Sequence, residues 1–138
     1  MCKDGIALEN IGKINISIYQ PVTENKILTD KVVLTSNRKE HIIERRGQAF
    51  FDKYSPMFAD IVADPDYIFK DKNKNTALAA KFVSDGRHSL YICLRLAVEG
   101  ENPEYNNSII TAVFENSRRF SQRVKNNPPV YKRLDKKE

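Results

Sequence analysis

Residues 89–98 read SLYICLRLAV, and this stretch predicts the fold more directly than any other part of the chain. The even-numbered positions from 92 to 98 are aliphatic, whereas positions 91, 93 and 95 are Tyr, Cys and Arg. Because successive side chains of a strand point to opposite faces, this alternation predicts a strand with one aliphatic face and one mixed face.

Similar patterns on both sides of this strand predict the rest of the domain. Further strands are expected over residues 14–18, 31–35, 67–69, 76–83 and 108–114. Helices are expected over the run RKEHIIERR, over residues 56–63 and over residues 116–126. The first is expected to be capped by Ser36 or Asn37 and to be bent or ended by Gly47. This order predicts a single α+β domain over residues 1–138, with N-terminal helices packed on a four-stranded antiparallel sheet. Its core is expected over about residues 31–133, with a basic tail at 134–138.

The charge is unevenly distributed along the 138 residues. The net charge is +5, and residues 115–138 hold eight Lys or Arg against three Asp or Glu, so the whole excess lies there. A localised basic segment indicates a polyanionic partner, with phosphate the obvious group. The alternative is a solvated tail that only improves solubility.

Several protein classes are disfavoured by what the sequence lacks. No window approaches the roughly 20 apolar residues of a membrane span, and the N-terminus has no apolar segment of a secretory signal. The two cysteines form no disulfide framework, and no Cys/His spacing, glycine-rich phosphate loop, GxSxG or HExxH motif is present. We therefore expect a cytoplasmic protein with no metal, cofactor or membrane partner.

His41 is the first candidate for chemistry. In a helix, Arg38 and Arg45 lie one turn before and after it, so they share its face. Two nearby guanidinium groups disfavour a second positive charge, which leaves a neutral imidazole able to accept a proton. The alternative is an ordinary exposed helical histidine.

Three polar residues interrupt predicted strands. Lys81, Arg95 and Thr111 each lie within an otherwise apolar run. Each alone fits an exposed sheet position. Together they predict a sheet face that carries Lys, Arg and Thr opposite the aliphatic face, and such a face could bind a phosphate group.

The chemistry that fits these groups is RNA cleavage without a metal. His41 would take the proton from a ribose 2′-OH, the alkoxide would attack the adjacent phosphorus, and fixed cations would stabilise the phosphorane. The products would be a 2′,3′-cyclic phosphate and a 5′-OH. The predicted cations are Arg45, Arg46 and Lys81, and the predicted hydroxyl donor is Thr111. The general acid stays open among His88, which is expected in a tight turn, Tyr131 and Lys132.

Four short motifs in order carry a resemblance. EHIIERRG is followed by DPDYIF, by the strands SLYICLRL and NSIITAVF, and by VYKR. The chain resembles the phage-associated branch of the barnase–EndoU–colicin–RelE (BECR) nuclease superfamily over about residues 31–133. By that resemblance His41, Arg45 or Arg46, Lys81 and Thr111 match catalytic positions. Some relatives have a second helical histidine where this chain has Arg45 and Arg46.

The resemblance implies an endoribonuclease of phage, prophage or mobile-element origin, toxin-like, with RNA as its target and tRNA among the candidates. An immunity or antitoxin protein is a further partner suggested by analogy. The residues predicted to contact RNA are Arg95, Arg118, Arg119, Arg123, Tyr131 and Lys132. Two alternatives stay open. One is a non-catalytic RNA- or DNA-binding module, and the other is an interaction protein of a mobile element.

Overall fold

The computed structural model describes residues 8–82, 88–101 and 105–133. They form one α+β domain. The strands are β1 (Leu8–Lys13), β2 (Lys31–Thr35), β3 (Tyr67–Lys70), β4 (Thr76–Phe82), β5 (His88–Arg95), β6 (Asn107–Asn116) and β7 (Tyr131–Lys132). The α-helices are α1 (Ile16–Tyr19), α2 (Ser36–Arg46), α3 (Gln48–Tyr54), α4 (Phe58–Ala63) and α5 (Ser117–Asn126). No helix within these residues is long and apolar enough to cross a membrane.

The described strands form one sheet in the order β1-β2-β6-β5-β4-β3-β7. The predicted antiparallel meander is present as β3 to β6. The prediction of a four-stranded, fully antiparallel sheet is wrong, because seven of the described strands take part and β2 runs parallel to β6. The added strands pair across long stretches of sequence, and local alternation carries no information about such pairing.

One face of the sheet, which we name the first face, packs against the N-terminal helices. Ile68, Ala79 and Ile92 from the sheet share the main core with buried residues of α1 to α4, among them Tyr19 and Phe58. The aliphatic side of residues 92–98 belongs to this core, as the alternation predicts.

The opposite face, which we name the second face, is covered in part by α5. Phe120 of α5 packs on Phe69, Leu78 and Ala80. Tyr91 and Cys93 pack at the border of this smaller cluster and remain half-buried. The basic helix after residue 116 is therefore confirmed, and it shields one side of this face.

The predicted strand over residues 14–18 is wrong. Asn15 instead begins α1, and its side-chain Oδ1 accepts a hydrogen bond of 3.2 Å from the backbone N–H of Ser17. A local cap of this kind competes with a strand ladder, so Ile16 and Ile18 enter a helical turn. The strand at this end of the chain is β1, which pairs with β2 and brings residues before 31 into the fold.

Most other boundaries agree closely with the sequence. The predicted segments 31–35, 67–69, 76–83 and 108–114 correspond to β2, β3, β4 and β6, and Gly47 does end α2 at a φ of 102°. The predicted strand 89–98 ends earlier, at Arg95. His88 is the first residue of β5 rather than a turn residue, while residues 83–87 before it and the predicted tail 134–138 lie outside the described residues.

Asn107 joins three parts of the fold at the start of β6. It is fully buried, and its Oδ1 accepts from the N–H of Ala97 at 2.8 Å. Its Nδ2 donates to the carbonyl oxygens of Thr29 and Lys31 at 2.7 and 3.0 Å. This side chain therefore fixes the approach to β2 beside the ends of β5 and β6.

Candidate functional site

Helix α2 lies along the edge of β6. Strand β2 pairs with β6 only at Val32–Asn107 and Val33–Ser108, and beyond these pairs α2 contacts β6. The Nε of Arg46 donates to the carbonyl oxygen of Ala112 at 3.0 Å. This bond gives a partner to a β6 carbonyl at the edge where strand pairing has ended, and it places Arg46 one residue from Thr111.

The cap of α2 explains why the helix starts directly after β2. The Thr35 hydroxyl accepts a hydrogen bond of 3.2 Å from the N–H of Arg38, so Thr35, rather than Ser36 or Asn37, is the N-cap. Ile42 is fully buried and anchors the helix on the core.

His41 is half-buried, and within the described part of the chain it makes no hydrogen bond or ion pair. Arg38 and Arg45 lie one helical turn before and after it, and both are exposed. An imidazole without a protein partner, surrounded by cations, is free to bind the proton or hydroxyl of a ligand.

Thr111 lies on the second face. It pairs across the sheet with Cys93, which packs on the α5 side, and cross-strand partners share a face. Thr111 is half-buried, and its hydroxyl has no hydrogen-bond partner among the described residues. A bulge at Ile110, between the pairs Cys93–Thr111 and Leu94–Ile109, sets this orientation.

The positive charge of Arg38 also affects Cys93, a residue of the second face. Burial, together with Asp71, raises the pKa of the Cys93 thiol to about 11, and Arg38 opposes this increase. Cys93 is therefore a protonated sheet residue rather than a nucleophile at neutral pH. The sequence pattern did not single out Arg38 as a site residue, although its position one turn before His41 pointed to it.

Lys81 does not join this group. It pairs with Leu90, a residue of the main core, and therefore lies on the first face, opposite Arg95 and Thr111. Its Nζ lies 3.2 Å from the Asp60 carboxylate and donates to the carbonyl oxygen of Asp64 at 2.9 Å. The predicted face shared by Lys81, Arg95 and Thr111 is wrong for Lys81. Strand β4 is apolar on both sides because both faces are covered, so its sequence does not reveal which way position 81 points.

Arg95 lies on the second face, as predicted, and pairs with Ser108 across the sheet. It donates to the carbonyl oxygen of Leu96 at 2.8 Å and forms an ion pair with Glu101. These residues line a cavity of about 370 Å³ between the ends of β2, β5 and β6. Tyr105 also lines it and is 54% exposed.

Arg123 of α5 is held by protein groups. It hydrogen-bonds and ion-pairs with Glu115, which is 6% exposed, and lies 4.5 Å from the centre of the Tyr91 ring. The hydrogen bond to Glu115 raises the pKa of Arg123 and outweighs the opposing effect of burial. Burial in turn raises the pKa of Tyr91 despite the nearby positive charges of Arg123 and Arg46. Arg123 therefore organises the second face.

The other predicted RNA contacts differ in how accessible they are. Arg118 and Arg119 are exposed on α5, and their guanidinium groups have no partner among the described residues. Tyr131 belongs to β7 and packs against the main core, whereas the Nζ of Lys132 lies 6.0 Å from the centre of the Tyr67 ring. His88 stacks on Phe114 at 4.7 Å. The two exposed arginines are thus the best placed of these for phosphate.

The site is therefore the edge formed by α2 and β6 together with the open part of the second face. Helix α2 carries Arg38, His41, Arg45 and Arg46, and Arg46 is bonded to the residue that follows Thr111 in β6. Among the described residues, no group of three or more His, Cys, Asp and Glu side chains could hold a metal ion. Comparison of the chain with protein-family models, curated proteins and solved structures finds no match.

Proposed function

We propose that this chain is a metal-independent endoribonuclease that cleaves RNA by attack of a ribose 2′-OH on the adjacent phosphate. The observation that carries the proposal is the position of α2 on the β6 edge. It places an unpartnered imidazole and three arginines on the helix next to a strand with an unpartnered threonine hydroxyl, among the residues that the structure describes. A base, several cations and a donor are the groups that this reaction requires.

The roles follow from each group's chemistry and surroundings. His41 accepts the 2′-OH proton, and the alkoxide forms a bond to phosphorus while the 5′-oxygen leaves. Arg38, Arg45 and Arg46 stabilise the charge on the phosphorane, and the Thr111 hydroxyl donates to one of its oxygens. The leaving 5′-oxygen takes its proton from a general acid, which the sequence leaves open among three residues.

Lys81 has a different role in this proposal from the one its sequence context suggests. Its ammonium group is already paired with two carboxylates of α4 and the segment after it. Arg46, which is bonded to the residue after Thr111, supplies positive charge there in its place. The structural function of Lys81 is then to tie α4 to β4.

RNA is the proposed substrate because the site combines a base for the 2′-OH with cations for phosphate. The exposed Arg118 and Arg119 extend the positive surface beyond the reacting groups. A toxin-like role in a phage or mobile element, tRNA as the target, and an immunity or antitoxin partner complete the proposal, on the strength of the sequence resemblance.

The test is cleavage of total bacterial RNA and of tRNA in EDTA by the wild-type chain and His41→Ala. We expect discrete fragments with 2′,3′-cyclic phosphate ends from the wild type. The variant should be slower by about 10²–10⁴-fold, the usual contribution of a general base. Glu44→Ala is the matched control, because Glu44 is exposed on the same helix.

Two results would overturn the proposal. One is the absence of cleavage at every protein concentration, and the other is equal cleavage by the wild type and His41→Ala. Circular dichroism of each variant separates a loss of chemistry from a loss of fold. A cleavage reaction that requires added metal would also contradict the mechanism.

A non-catalytic RNA- or DNA-binding module is the second candidate. The exposed arginines of α5 favour it, because they can bind phosphate without any contribution from His41. In that case His41→Ala binds RNA like the wild type. The double variant Arg118→Ala/Arg119→Ala binds RNA with an affinity that depends less on salt.

A further inference from the structure

The cavity between the ends of β2, β5 and β6 has the size and lining of a small-molecule site. Its volume of about 370 Å³ falls within the usual range for ligand pockets. Val33 and Ser108 of the second face line it, as do Tyr105 and Asn106. Apolar, aromatic and hydrogen-bonding groups therefore converge on one concave space.

Arg95 and Glu101 supply a fixed polar edge within this cavity. The guanidinium group is held by the Leu96 carbonyl oxygen and by Glu101, so the positions of both charged groups are set before any ligand binds. Arg95 uses two of its five N–H donors in these contacts, and Glu101 uses one of its two carboxylate oxygens. The remaining donors and acceptor match the edge of a heterocycle that both accepts and donates hydrogen bonds.

Tyr105 adds a surface for stacking. More than half of its area is exposed, so the side chain is accessible to a ligand. Exposed aromatic rings beside cations are the usual platform for unpaired bases of single-stranded RNA. Tyr131, the aromatic residue expected from sequence to stack on bases, instead packs against the main core.

The cavity lies on the same face as Thr111 and close to it. Arg95 and Cys93 are two residues apart on β5, which corresponds to about 7 Å along a strand, and Cys93 pairs directly with Thr111. A nucleotide whose phosphate lies at Thr111 can therefore extend its base toward Arg95.

We infer that this cavity is a subsite for a single nucleobase, which stacks on Tyr105 and is read at its edge by Arg95 and Glu101. The inference rests on the proposed function, because it names the part of the RNA substrate that lies next to the reacting phosphate. It assigns to Arg95 a contact with the base rather than with phosphate.

The test measures the binding of the four ribonucleoside 3′-monophosphates, which the proposed reaction cannot cleave, by isothermal titration calorimetry. We expect at least one of them to bind with 1:1 stoichiometry. Tyr105→Ala should weaken this binding by about tenfold or more, and Tyr105→Phe, the matched control, should retain it because the ring remains. Ribose 5-phosphate, which has no base, should not compete.

Three results would overturn the inference: no binding of any of the four nucleotides, equal binding by Tyr105→Ala and the wild type, or full competition by ribose 5-phosphate. Nucleotide binding and RNA cleavage are measured separately on the same proteins, so a failure of this proposal can be told from a failure of the nuclease proposal. Tyr105-dependent binding without RNA cleavage would leave the base subsite in place and reject the nuclease. Cleavage that depends on His41, without any effect of Tyr105→Ala on nucleotide binding, would support the nuclease and reject the base subsite.

Discussion

Replacing Asn107 with Ala should strongly destabilise the junction of β2, β5 and β6. The side chain is fully buried and makes three hydrogen bonds of 2.7 to 3.0 Å to three separate backbone groups. Alanine removes all three partners at once, and the N–H of Ala97, which is only 3% exposed, keeps no acceptor.

The magnitude follows from the cost of each lost partner. Three hydrogen bonds at about 1 kcal/mol each, together with the desolvation of one orphaned N–H, give a loss of about 3–5 kcal/mol. That is a large part of the 5–15 kcal/mol by which native domains are usually stable, as an order of magnitude. Asn107→Asp keeps the acceptor for Ala97 but directs a carboxylate at two carbonyl oxygens, so it should be no less destabilising.

Urea unfolding followed by circular dichroism measures this effect. With an m-value of about 2 kcal/mol per molar, the midpoint for Asn107→Ala should fall by about 2 M. Asn106→Ala is the matched control, because Asn106 is half-buried and has no hydrogen-bond partner among the described residues. It should change stability by no more than about 0.5 kcal/mol. A loss below about 1 kcal/mol for Asn107→Ala, or equal losses for both asparagines, would show that these three bonds do not hold the junction.

Three further changes test other parts of the structure. Ser89→Ala should raise the urea midpoint, because the Ser89 hydroxyl is buried without a partner among the described residues, and an unpaired buried hydroxyl costs about 1–3 kcal/mol. Arg123→Met should lower stability by about 3 kcal/mol through the uncompensated charge of buried Glu115, and restored stability in the double variant with Glu115→Gln would verify this cause. In a Cys2→Ala background, alkylation of Cys93 by iodoacetamide should be slow at pH 8 and increase up to about pH 11, and a fast reaction at pH 8 would contradict the raised pKa. Since the folded thiol holds its proton more tightly than the unfolded one, this group's contribution to stability should be lost between about pH 9 and pH 11.

The sequence predicts the local elements well where one physical signal dominates. Strand β5 alternates because only one of its faces enters the main core, and α5 ends at Asn126, which is followed by Asn127 and two prolines. The predictions fail where a different interaction outweighs the local pattern. Asn15 caps a helical turn in a segment that alternates like a strand, and the parallel pairing of β2 with β6 joins residues separated by more than 70 positions.

In the candidate site, too, the sequence predicts what depends on local geometry and misses what depends on long-range packing. The helical spacing predicts that Arg38 and Arg45 flank His41, because this geometry is local. The neighbourhood of Thr111 and Arg46 depends on how α2 docks on β6, which no local pattern contains. The position of Lys81 could not be obtained from β4, whose apolar residues face two cores.

The two-residue strand β7 has a consequence for how the protein behaves at high concentration. It covers the outer edge of β3, where the N–H of Val130 bonds to Ile68 and that of Arg133 to Asp66 at 2.8 and 2.9 Å. Its own outer edge is too short for a further strand to add stably, and Pro128 and Pro129 before it cannot donate backbone hydrogen bonds. This short strand therefore protects the β3 side of the sheet against edge-to-edge aggregation. A chain cut after Pro129 would expose β3 as a template for self-association.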